Sequence, residues 1–232
     1  MRLENIVWEA RDPRRLGSFW AAALDADPLT DEADLFDARV RVADEVFLDL
    51  CFPRVAEPSH SRSRLHPDLR GVRQAEVVEH LLGLGAVHAD VGQGDESWVV
   101  LADPEGNPFC VMDEREVFRD SGPIAALPMQ SADPDRDARF WASIIGWVPC
   151  PSSGDMPALR HPAGVGPLLE LCPEAGPKVG KNRLHVNVRP TGDDDLVDQL
   201  PAMGACPVGG DTDLPWRVFT DPSGNEFCVL DA

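Results

Sequence analysis

Asp103-Pro-Glu-Gly-Asn-Pro-Phe-Cys-Val-Met-Asp113 returns near the end of the chain as Asp221-Pro-Ser-Gly-Asn-Glu-Phe-Cys-Val-Leu-Asp231, with eight of eleven positions identical. Upstream of it the echo continues in the same order. Trp98 matches Trp216, Arg64-Leu-His66 matches Arg183-Leu-His185, and Asp12-Pro13 with Phe19-Trp20 match Asp133-Pro134 with Phe140-Trp141. The offset falls from 121 through 119 to 118 residues, as small loop deletions produce. The chain is therefore a tandem duplication, and any site is to be sought in both copies.

Within each copy the pattern predicts a short apolar strand and then a helix. Asp12 and Asp133 are N-cap candidates, with Pro13 and Pro134 at the first helical position. Leu16, Phe19, Trp20, Ala23 and Leu24 follow at helical spacing, as do Phe140, Trp141, Ile144 and Ile145. Strands are expected at 38–43 and 46–52, and at 156–160 and 167–172. A strand around His66 or His185 comes next, then a second helix, at 72–84 or at 193–203, where Pro201 should kink or end it. Two strands joined by an Asp-Pro-x-Gly-Asn turn close each copy, with Gly and Asn there to tolerate positive φ. Each copy thus spells β-α-β-β-β twice. The expected domains are 1–115 (units about 1–55 and 62–115) and 124–232 (units about 124–175 and 181–232), with 116–123 as the linker.

Bulk properties narrow the function. A net charge of −19 repels nucleic-acid phosphates and anionic membrane surfaces, so neither is expected as a partner. No apolar run approaches the roughly 18–20 residues of a membrane span, and Met1-Arg-Leu-Glu-Asn5 lacks a signal-peptide stretch. The six cysteines include no C-x-x-C pair, which suits reduced thiols in a cytoplasmic protein.

Strand alternation assigns faces. In Val46–Phe52, Asp49 and Cys51 oppose the apolar Leu48 and Leu50. In Arg64–Arg70, His66 and Asp68 oppose Leu65 and Leu69; in Phe109–Met112, Cys110 and Met112 oppose Phe109 and Val111. By the same rule the second copy presents Glu170, His185 and Cys228. A carboxylate, an imidazole and a thiol suit a soft divalent metal or an acid–base pair. They also suit a hydrogen-bonded Asp49–His66 pair with the cysteines as small apolar fillers.

The Asp-Pro-x-x-x-x-x-Phe-Trp helix, the Arg-Leu-His strand and the closing Asp-Pro-x-Gly-Asn-x-Phe-Cys together resemble the vicinal oxygen chelate superfamily, and within it the glyoxalase-like domain proteins, which include bleomycin-resistance-type members. The resemblance covers nearly the whole chain, twice. It implies an α+β fold of four βαβββ units in two tandem glyoxalase-like domains, with curved mixed sheets around clefts. It also implies four metal-ligand positions per copy. These are Asn5, Asp49, His66 and Cys110 in the first copy, and Ala126, Glu170, His185 and Cys228 in the second. Since the first position has lost its usual His and the last its usual Glu, glyoxalase I and dioxygenase chemistry are not expected.

Two functions follow as expectations. One is a small-organic-molecule binding protein without a complete family metal site, with a cleft formed from Asn5, Asp49, His66, Cys110, Met112, Glu170, His185, Asn187, Cys228 and Leu230. The other is a metal-dependent lyase or isomerase in which Glu170 and His185 are catalytic and join Cys228 on zinc, nickel, manganese or iron. The other histidines, His60, His80, His88 and His161, are expected at the surface. One chain is a pseudo-dimer and needs no second copy to complete four units.

Overall fold

The computed structural model describes residues 1–192, 196–209 and 215–231. The first unit contains β1 (Arg2–Trp8), α1 (Pro13–Leu24), β2 (Asp27–Asp31), β3 (Leu35–Ala43) and β4 (Val46–Pro53). The second has β5 (Asp68–Leu69), α2 (Gln74–Gly83), β6 (Val87–His88), β7 (Val99–Ala102) and β8 (Pro108–Val111). The third has β9 (Ile124–Ser131), α3 (Pro134–Ile145), β10 (Val148–Cys150), β11 (Ala158–Arg160) and β12 (Leu168–Pro173). The fourth has β13 (Leu184–Arg189), α4 (Leu196–Gln199), β14 (Cys206–Pro207), β15 (Trp216–Thr220) and β16 (Glu226–Leu230). The α+β class and the βαβββ order hold in all four.

Local chemistry explains the elements. Asp12 and Asp133 cap α1 and α3 by accepting from the backbone N–H of Arg15 and Arg136, both at 3.0 Å. Gly17 lets α1 lie on β3, because a Cβ there would sit 2.1 Å from the Phe36 ring. The strand at His66 shrinks to Asp68–Leu69 and one isolated bridge at Leu65, since Pro67 has no N–H for the ladder. The start of the helix expected at 193–203 lies outside the described residues. Its end is a short α4 that tightens into a 3-10 turn over Leu200–Met203, with Pro201 in its first turn.

The strands join into two eight-stranded mixed sheets. One runs β14-β15-β16-β13-β1-β4-β3-β2, the other β10-β11-β12-β9-β5-β8-β7-β6. The modules are tandem in sequence, yet the first unit shares its sheet with the fourth and the second with the third. The expectation that each half encloses its own cleft is corrected by this crossing.

Helix-side residues of both sheets enter one hydrophobic core, among them Ile6, Trp8, Leu50, Phe109, Leu127, Leu171, Val186 and Phe227. The aromatic stripe of α1 reaches across to β8, with Trp20 and Phe109 ring centroids 5.0 Å apart. Trp141 of α3 meets Phe227 of β16 in the same way at 5.3 Å. The Phe-Trp pairs are therefore core, as their spacing predicts.

The closing turns carry the repeat signal for a structural reason. Asp103 accepts from the Asn107 backbone and side chain and the Glu105 N–H, and the buried Trp20 indole donates to it at 3.1 Å. Asp221 is bonded likewise by Asn225, Ser223 and the Trp141 indole. Gly106 and Gly224 both hold φ at 84°. Asn serves here as a donor to Asp, not as the positive-φ residue.

Candidate functional site

Both sheets leave one face free of helices, and strand parity sends the polar residues there. On the first sheet, register places Val218, Cys228, Asn187, Asn5, Asp49 and Arg39 side by side across six strands. One step along lie His185, Val7, Cys51 and Asp37. Asn5 Oδ1, Asn187 Oδ1 and His185 Nδ1 are buried, and none has a hydrogen-bond partner in the protein. Leaving such an atom unpaired costs about 1–3 kcal/mol, so the three call for partners from outside the chain, water among them.

His185 Nε2 lies 3.6 Å from Cys228 Sγ. Burial, helped by the nearby Lys181 ammonium, lowers the imidazole to about 4, and burial pushes the thiol up to about 11. At neutral pH the pair is imidazole and thiol, both uncharged. It is not the thiolate–imidazolium couple that a cysteine nucleophile needs.

Asp49 is held bidentately by Arg39, with both contacts at 2.7 Å, so its oxygens are committed. The expected Asp49–His66 pair is absent, because the two residues belong to different sheets. Arg39 and Asp49 also line a cavity of about 600 Å³, together with Phe47, Trp147 and His161. His161 is exposed, as expected, and stands at the rim of this cavity.

The second sheet carries the equivalent row Val100, Cys110, Asp68, Ala126 and Leu168. His66, Asp68 and Cys110 each offer a ligand atom, all within 4.8 Å of one another. His66 Nε2 is 3.4 Å from Asp68 Oδ1, which is buried and lacks a properly formed hydrogen bond. Nitrogen, oxygen and sulfur donors around an orphaned carboxylate oxygen fit a divalent metal such as zinc. Asp68 is the residue that the ligand assignment missed; its parity with His66, two positions away, was the available signal.

Glu170 lies on this sheet too, opposite Pro128, whereas Asp49 stands opposite Asn5. The two carboxylates that the repeat equates are thus two positions out of register. Both Glu170 oxygens accept from Ser153, at 2.7 and 3.0 Å, and burial raises its pKa despite those bonds. The expected Glu170–His185–Cys228 set is therefore corrected: His185 and Cys228 are neighbours on one sheet, and Glu170 is on the other.

Met112 and Leu230 both reach the helix-free faces but differ in cover. Met112 is buried in a cluster with Val100, Cys110, Ala125, Ala126, Leu168 and Phe118. Phe118 comes from the segment expected as a solvated linker, where it sits in a 3-10 turn over Glu116–Phe118 and is fully buried. Among the described residues the first sheet has no such cluster on this face, and Trp216 there is 38% exposed. All six cysteines are free thiols, and among the described residues no helix is long and apolar enough to cross a membrane.

Comparison with known proteins agrees with this architecture. Glyoxalase I from Zea mays superposes with a TM-score of 0.68 at 14% identity, over 99% of this chain and 92% of that one. A Bacillus subtilis protein described provisionally as a dioxygenase gives 0.61 at 15% identity, over 100% of this chain and 85% of that one. At such identities the likeness speaks for the fold. No curated protein sequence matches significantly. Residues 5–112 and residues 126–230 each match the glyoxalase-like domain. The chain belongs to the glyoxalase-like domain family, as two modules in tandem.

Proposed function

We propose that the protein binds a small organic molecule on the helix-free face of the first sheet, without a metal. The observation that carries this reading is the row of buried, unpartnered Asn5, Asn187 and His185 atoms beside a neutral Cys228. The two Asn oxygens accept hydrogen bonds from a ligand and His185 Nδ1 exchanges one in the sense its tautomer sets, while Val218, Leu230 and Trp216 supply apolar contact. The net charge of −19 draws cations and repels anions. A thermal-shift screen of small molecules against dialysed protein tests it. A hit whose stabilisation disappears in Asn187→Leu supports the site; a hit unaffected by that change places the ligand elsewhere and overturns it.

One observation favours a second reading, a metal-dependent lyase or isomerase. His66, Asp68 and Cys110 fit a metal, which would polarise a substrate oxygen with Glu170 nearby to carry a proton. Phe118 covers that face, which is why the first reading is preferred. Elemental analysis separates them. Stoichiometric metal that survives dialysis and is lost in His66→Ala would support the second reading.

A further inference from the structure

The two helix-free faces hold equivalent positions, so what fills one is a guide to what the other accepts. On the second sheet the positions are Trp98, Val100, Cys110, Met112, Ala126 and Leu168, and the chain itself covers them with Phe118. The covering segment is pinned from both sides. Arg115 bonds the Ser153 carbonyl and the Ser97 hydroxyl, at 3.2 and 3.3 Å, and pairs with Asp113. Arg160 donates to the Val117 carbonyl at 2.7 Å, and Gly166 N–H to the Asp120 carbonyl at 2.9 Å. On the first sheet the matching residues are Trp216, Val218, Cys228, Leu230, Asn5 and Asp49. The apolar end is kept, whereas Ala126 and Leu168 are replaced by Asn5 and Asp49. A phenyl ring suits the apolar walls of the first set, whose one unpaired oxygen, on Asp68 between Cys110 and Ala126, lies 3.4 Å from His66 Nε2. In the second set it would leave the Asn5 and Asn187 oxygens unpaired.

We propose that residues 113–121 act as a built-in occupant of the second face, with Phe118 seated where the first face takes the ring of a small aromatic molecule bearing N–H or O–H donors, so that each chain holds one such molecule. The ligand class rests on the binding reading above; the built-in occupant does not. The ring lies toward Val218, Leu230 and Trp216, and its donors meet Asn5 and Asn187. Donors distinguish the ligand from Phe118: the first face sets two unpaired amide oxygens side by side, whereas at the Asn5 and Asp49 positions the Phe118 face carries Ala126 and Leu168, and its single unpaired oxygen, on Asp68, has His66 beside it.

Two probes of equal size test both parts: aniline, which has N–H donors, and toluene, which has none. Titrations at millimolar concentration are followed by NMR of the indole signals, assigned with Trp98→Phe and Trp216→Phe. Wild-type protein is expected to bind one aniline, shifting Trp216 and not Trp98, and to bind toluene at least tenfold more weakly. Phe118→Ala is expected to open an apolar cavity that takes toluene and shifts Trp98. Should that variant unfold, Phe118→Leu keeps part of the packing and still predicts a Trp98 shift. A folded variant that gains no toluene site overturns the built-in occupant. Wild-type protein that takes two equivalents of aniline overturns it as well. A toluene site gained in the variant, with aniline ignored by wild type, upholds the occupant and overturns the ligand class.

Discussion

The closing turns and the helix-free faces answer the duplication in opposite ways. At the turns the copies agree in detail: Asp103 and Asp221 hold the same Asn, the same backbone donors and the same helix Trp. On the faces they part, with Asn187 against Asp68, Asn5 against Ala126, and Trp216 exposed against Trp98 half-buried on the cluster that holds Phe118. Agreement between copies here marks what the fold requires. Difference between them marks where Phe118 packs on one face and no such cluster of the described residues forms on the other.

The largest expected effect probes the agreement. Asp103→Ala and Asp221→Ala each strand three N–H donors and a buried indole N–H, and each should cost about 3 kcal/mol in urea denaturation. A cost near zero at either site would mean that the two turns do not carry the same load. Next comes a difference between the faces. Burial holds folded His185 near a pKa of about 4, below the ordinary value of 6.5. As pH falls through that window the unfolded chain takes up a proton that the folded chain refuses, so the wild type loses stability relative to His185→Gln. The loss should reach about 3 kcal/mol near pH 4, and parallel pH profiles for the two proteins would refute it. The smallest effect concerns the half-exposed Arg39–Asp49 pair. Arg39→Met should cost about 0.5 kcal/mol, and the difference should fade at about 1 M salt.

Much of the fold was legible because its signals are local. Capping Asp-Pro pairs, helical stripes and alternating strands need only a few neighbouring residues, and they recur. The edge strands β2, β6, β10 and β14 were not legible, since Asp27-Pro-Leu-Thr-Asp31 and Cys206-Pro207 offer neither alternation nor a continuous run of N–H groups. The pairing of units was hidden for a different reason. β1 would look the same on the page whether its antiparallel neighbour came from the second unit or the fourth, because identical motifs begin both. That ambiguity scattered the site as well. Parity correctly turned Asp49, His66, Cys110, Glu170, His185 and Cys228 away from the helices, yet could not say which of them share a sheet. Phe118, with only Val117 beside it among Glu114, Arg115, Glu116 and Arg119, left no periodic trace of its burial.

The crossed pairing has a consequence for how the chain comes into being. During synthesis the second and third units can complete their sheet while the fourth is still unmade. The first unit cannot: Asn5 waits for Asn187, and the β1 edge that β13 will cover stays unpaired until almost the whole protein has emerged. The topology thus lets the middle of the chain complete its sheet before the ends do, whereas the usual order has the amino-terminal part settle first. An unpaired β1 edge held open for that long is the point at which a nascent chain of this protein would be most exposed to joining the wrong neighbour.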